Sequence, residues 1–139
     1  MGFAKADLKN NIKVKKAFDA AISTNTTTSG VIIDTLGYRS VMFTLLCHAF
    51  TDGTYTPLIQ EGDESNLSDA AAVEDTYLIG TEADAAIDAN DEITTIGYAG
   101  TKRYVRLQVV STGVTSGASL YGVANLGHPE HGPVTQGVG

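Results

Sequence analysis

Arg39 to Phe50 carries apolar side chains in both phases of a two-residue repeat. Val41, Phe43, Leu45, Cys47 and Ala49 share one phase. Met42, Leu46 and Phe50 share the other with Thr44 and His48. Successive side chains of a strand point to opposite faces. Apolarity in both phases therefore predicts a central strand covered on both sides. The rest of the chain has to supply that cover.

Around this segment, short apolar runs alternate with turn residues. Val31-Ile32-Ile33 is one run, and Leu36-Gly37-Tyr38 supplies a turn after it. Thr51-Asp52-Gly53-Thr54 has the Asp-Gly centre of a hairpin turn. Tyr55 to Glu61 follows as a strand, with Pro57 predicting an edge position or a bulge. Gly62 to Asp75 reads as an acidic loop. Thr76 to Gly80, Asp91 to Tyr98, Lys102 to Ser111 and Val114 to Leu126 read as further strands. Gly117 and Gly122 mark bulges or close backbone approach. Thr81 to Asn90 has room for one helical turn capped by Thr81, with Glu82 and Asp84 suited to its positive end.

About seven short strands joined by turn residues predict an all-β fold, an antiparallel β-sandwich or jelly-roll-like barrel. The strand–helix alternation of a parallel α/β sheet is missing. The sandwich is expected over residues 30–127, with a C-terminal tail at 128–139 and an N-terminal arm and linker at 1–29. The arm is ambiguous. Leu8, Ile12, Val14, Phe18, Ala21 and Ile22 fall in one half of a helical wheel, yet Ile12-Lys13-Val14-Lys15 alternates like a strand. We expect an extended or partly helical arm outside the sandwich, joined by a polar linker at Ser23 to Ser29.

Charge is sorted along the chain. Lys5, Lys9, Lys13, Lys15 and Lys16 lie in the first sixteen residues. Residues 1 to 20 sum to +3, five Lys against Asp7 and Asp19. From Thr51 to Glu92 there are twelve acidic residues and no Lys or Arg. A basic arm on an acidic body complements other copies of itself or another protein lattice. The net charge of −7 opposes general nucleic-acid affinity, which needs clustered cations. No apolar run approaches the ~18 residues of a membrane-spanning helix, and no apolar segment follows the early lysines as in a secretory signal.

Catalytic and metal-binding motifs are weak. Cys47 is the single cysteine, so neither an internal disulfide nor a paired-cysteine zinc site is available. Its phase predicts burial, and an unpaired Cys often serves as a small buried hydrophobe. His48 is expected to be partly buried and hydrogen-bonded. His128-Pro129-Glu130-His131 places three ligand types in four residues, but the proline interrupts the geometry that would aim them. Asp63, Glu64 and Asp69, and Asp88, Asp91 and Glu92, offer oxygens without the spaced ligand loop of a calcium site. Gly97 to Lys102 lacks the spacing and following helix of a phosphate loop. These readings predict neither enzyme activity nor a cofactor.

Interaction residues are the better expectation. In the arm they are Phe3, Lys5, Leu8, Lys9, Ile12, Lys13, Lys15, Lys16 and Phe18. In the body, Lys102, Tyr104 and Arg106 share a strand face, and Arg and Tyr are favoured at interfaces. Internal pairing of these cations with the acidic loops is the competing expectation.

Five stretches carry a resemblance. They are Asp34-Thr35-Leu36-Gly37-Tyr38-Arg39-Ser40, Thr51-Asp52-Gly53-Thr54-Tyr55-Thr56-Pro57, Leu78-Ile79-Gly80-Thr81-Glu82, Ile96-Gly97-Tyr98 with Lys102-Arg103-Tyr104-Val105-Arg106, and Leu126-Gly127-His128-Pro129. In this order, over roughly residues 31–133, the chain resembles a family of small tailed-phage and prophage virion proteins associated with capsid decoration. The motifs are turns and strands, so no catalytic residue carries over. The resemblance implies a cement protein on the outer capsid surface, made in the host bacterial cytoplasm. Its partners would be the major capsid protein and neighbouring copies of itself, a trimer first and a dimer next, with no specific nucleic acid and no membrane. A tail or neck component and a carbohydrate-binding sandwich module are the alternatives.

Overall fold

The computed structural model describes residues 4–133. Its strands are β1 (Ile12–Ile22), β2 (Thr27–Asp34), β3 (Tyr38–His48), β4 (Thr54–Gly62), β5 (Ala71–Ala72), β6 (Leu78–Ile79), β7 (Ile93–Tyr98), β8 (Tyr104–Thr112) and β9 (Ala118–Pro129). They form two antiparallel sheets, ordered β1-β9-β3-β7-β6 and β2-β8-β4-β5. This is the sandwich expected from the turn rhythm, and the sheets remain separate rather than closing into a barrel.

The core lies between the sheets. Phe43, Leu45, Leu120, Ala124 and Leu126 face Ile33, Tyr55, Ile59, Val105, Leu107 and Val109, all essentially buried. Strict alternation along β8 and β9 produces this, every second side chain entering the core. Cys47 is buried with them, and burial raises its thiol pKa.

Several boundaries differ from the sequence reading. The arm is extended, but from Ile12 onward it pairs with β9 as an edge strand of the first sheet. Phe18 is 1% exposed and belongs to the core. The cause is a register shift between Lys16 and Phe18, a bulge at Ala17 that changes which residues face inward. The polar linker is also shorter than expected, because β2 starts at Thr27. Its Thr and Ser side chains sit on a half-exposed strand, where β-branched Thr is favoured. Pairing of β9 with β1 and β3 extends it past residue 127.

Thr51 to Thr54 is a turn but joins no hairpin. β3 and β4 belong to different sheets, so the chain crosses the sandwich here. Asp52 fixes that crossing. Its carboxylate accepts backbone N–H bonds from Thr115 (3.0 Å), Ser116 (3.1 Å) and Gly117 (3.0 Å). The β3–β4 and β8–β9 connections are thereby tied together. These bonds favour the anion, Thr115 and Gly117 contributing most, and hold the Asp52 pKa below the usual carboxylate range.

Pro57 is in register with Val109 of β8, but the N–H groups in its phase, those of Tyr55 and Ile59, bond Ile87 and Glu82 on the other side of β4, where β5 pairs only with Gln60 and Glu61. That is the edge position its missing N–H requires. Thr81 accepts the Asp84 N–H at 3.0 Å, as a cap does. Glu82 instead reaches β4 and accepts the Ile59 N–H at 2.9 Å. At the opposite corner, a Cβ at Gly30 would collide with the Ala17 carbonyl. Glycine there lets the irregular segments of β1 and β2 touch.

Candidate interaction surface

Only one face of β3 is covered. Val41, Phe43, Leu45 and Cys47 enter the core, while Met42, Thr44, Leu46 and His48 lie on the outer face of the first sheet. Met42 is 41% exposed, and His48 is exposed rather than buried. The expectation of cover on both sides is therefore corrected. The second sheet packs against one face, and nothing among the described residues spans the other.

Strand register builds that outer face into rows. Val14 pairs with Asn125, Asn125 with Met42, Met42 with Gly97, and Gly97 with Ile79. This row crosses all five strands. A second row runs through Asp19, Tyr121, Leu46 and Ile93. Between them lie Lys16, Val123, Thr44 and Thr95. Ile79 and Ile93 are 66% and 65% exposed, beyond the scattered apolar exposure of an ordinary surface.

The first row floors an open groove of about 760 Å³. Leu8, Asn11, Pro129 and Gly132 border it toward β1, and Ile79 borders it toward β6. Its basic-side wall is built locally. Asp7 accepts the Asn10 backbone N–H at 3.1 Å and its side-chain amide at 2.8 Å, and the Asn11 amide donates to the Asp7 carbonyl at 2.7 Å. This turn presents Leu8 to solvent at 67% exposure. On the floor, Asn125 donates to the Met42 carbonyl and to Thr44 Oγ1. Its amide nitrogen is thus engaged within the sheet. The Ser40 hydroxyl bonds His128 Nδ1 at the groove's end.

Charge flanks this apolar face asymmetrically. Lys9 precedes β1, and Lys13, Lys15 and Lys16 lie on it. Lys13 and Lys15 take the inward phase before the bulge, paired opposite Leu126 and Ala124, and are half-buried. Lys16 takes the outward phase and is exposed. On the opposite edge, the segments entering β6 and β7 contain Glu74, Asp75, Asp91 and Glu92, while Lys102 and Arg103 in the loop leaving β7 pair with Asp63 and Asp34.

The other expected site residues, Ile12 excepted, are separated from this surface. Phe3 lies outside the described residues. Lys5 is exposed ahead of the first strand, whereas Ile12, half-buried opposite Gly127, does line the groove. Lys102 pairs with Asp63 at 2.8 Å, which raises the lysine pKa. Arg103 grips Asp34 with two bonds of 2.8 Å and lies 5.0 Å over the Tyr104 ring. Arg106 bonds Gln60 rather than a carboxylate. Tyr104 and Arg106 are on the second sheet, while Lys102 precedes the strand. Internal partners thus occupy this cluster, as the competing expectation held for Lys102.

The acidic loop after β4 is organised by its own carboxylate. Asp69 accepts the backbone N–H groups of Asp63 (2.8 Å) and Glu64 (3.2 Å). Among the described residues, no three His, Cys, Asp or Glu side chains form a group able to hold a metal ion. None of the described helices is long and apolar enough to cross a membrane.

No protein-family model matches the chain, and no curated protein matches it. A solved structure, that of PBSX exported protein XepA, superimposes with a TM-score of 0.51 at 19% identity. The superposition covers 91% of this chain and 39% of XepA, so the chain spans about two-fifths of that protein's length. At this identity the likeness concerns the fold: the two chains share the two-sheet sandwich.

Proposed function

We propose that this chain is a non-enzymatic structural protein of a tailed-phage particle, decorating and stabilising the outer surface of the capsid shell. The observation that carries the structural role is the outer face of the first sheet. Its central strand is apolar in both phases and covered in one. Such a surface suits a molecule that works by contact with other proteins. The phage assignment is supported by the five motif stretches and by the fold shared with XepA, a phage PBSX protein.

The major capsid protein is the proposed partner. A decoration protein braces a shell by spanning subunits, which requires area and complementarity rather than a reactive group. Incubation of the purified chain with separated heads and tails, followed by sedimentation, tests this. The proposal expects saturable binding to heads and a higher temperature of genome release from decorated heads. Binding confined to tails would replace it with a tail or neck role. Sugar binding with no particle binding would favour a carbohydrate module.

A further inference from the structure

We infer that the outer face of the five-stranded sheet is the contact between copies of this chain, with the lysine-bearing β1 edge of one copy beside the acidic β6–β7 edge of the next.

Three observations bear on the occupant. The first is the apolar row Val14–Met42–Ile79, exposed across five strands beside Tyr121 and Ile93. Burying such side chains is the main favourable term in association. The second is the charge arrangement. The two edges of the sheet differ in sign: β1 carries Lys13, Lys15 and Lys16 against Asp19, and the segments entering β6 and β7 carry Glu74, Asp75, Asp91 and Glu92. A second copy turned to place its acidic edge over β1 meets complementary charge at both margins. A partner of single sign would be repelled at one of them.

The third observation concerns the alternative of strand addition at the sheet edge. β1 carries inward-phase Lys13 and Lys15 and a bulge at Ala17, both devices that block pairing with another strand. The opposite edge, β6, is only two residues long. The edges are defended and the face is not. A self-contact therefore uses the face, with the charged edges setting its orientation.

This inference is independent of the capsid assignment, because it is measured on the purified full chain alone. Sedimentation velocity over a concentration series is expected to show a species larger than a monomer. Raising salt from 0.1 M to 1 M shortens the screening length from about 10 Å to about 3 Å and should shift the population toward monomer. Met42→Glu and Tyr121→Glu, both at exposed positions, are expected to weaken the assembly about thirtyfold or more. Lys16→Glu should weaken it more at low than at high salt. Gln108→Glu, on the second sheet, should leave it unchanged. Circular dichroism melts of each variant separate loss of assembly from loss of fold.

A wild-type chain that stays monomeric at every concentration overturns the inference. So does an assembly that Gln108→Glu dissolves while folded Met42→Glu and Tyr121→Glu do not. Neither result bears on head binding, and failure to bind heads leaves the self-contact standing.

Discussion

Ile79 lies against bare backbone at Gly97: a Cβ on Gly97 would approach the Ile79 Cβ to 3.0 Å. The two-residue β6 is seated on β7 through this contact, and Ile79 becomes the acidic-side wall of the groove. Gly97→Val should destabilise the fold by about 1–3 kcal/mol through overpacking. Ile79→Ala should relieve part of that cost. Denaturant unfolding of both single variants and the double variant measures the coupling, expected to be at least about 0.5 kcal/mol. Strict additivity would mean that the contact is not made.

Phe18 separates a docking arm from a structural strand. Fully buried beside Gly122, its side chain should cost about 3–5 kcal/mol on replacement by alanine. Lys16→Ala, at an exposed position two residues earlier, should change stability by no more than about 0.5 kcal/mol. Deletion of residues 1 to 20 removes most of β1 and uncovers β9, so the truncated chain should fail to fold. Urea unfolding of the variants and the far-ultraviolet spectrum of the truncation check both points.

Asp52 makes the fold sensitive to acid at one joint. The anion accepts the N–H groups of Thr115, Ser116 and Gly117, so its folded pKa lies below its unfolded value of about 3.9. A depressed carboxylate stabilises the fold above the unfolded pKa, and that stability is lost as pH falls through the folded one. Asp52→Asn should therefore melt at a lower temperature than wild type at neutral pH. The difference should shrink as the pH falls below about 4. A difference independent of pH would assign the effect to packing.

Tyr98 closes the opposite end of the sandwich. Its hydroxyl donates to Glu61 at 2.7 Å and accepts the Lys102 N–H at 3.0 Å. Burial first, and then the Glu61 carboxylate, push the phenol pKa well above 10. Tyr98→Phe should cost about 1–3 kcal/mol, the range for leaving such partners unmatched. Because the raised pKa favours the neutral phenol, its stabilisation is present below about 10 and declines as pH rises beyond that. Wild type should lose its advantage over Tyr98→Phe in alkali, as thermal melts will register.

Much of this fold is legible in the sequence, since β8 and β9 keep an unbroken two-residue period of burial over nine residues or more, and β3 keeps one from Val41 to His48. β1 was obscured because the bulge at Ala17 resets the phase. Ile12 and Val14 face outward before it, while Phe18 and Ile22 face inward after it. A strand with such a shift imitates helical spacing, which explains the ambiguous arm. Asp-Gly at residues 52–53 announced a turn but not its destination, because pairing partners are set by long-range packing. The open face was present in the sequence as the second apolar phase of β3. Its lack of cover became visible only once Met42, Ile79, Ile93 and Tyr121 were placed on one surface. Local periodicity states what a residue requires, not whether its own chain supplies it.

The most direct test of the proposed role is a density map of an intact particle containing this chain. The account predicts the sandwich on the outer surface of the capsid shell, with the Met42 face of the first sheet buried against a second copy. Density confined to the tail or neck, or the chain absent from the particle, would contradict it.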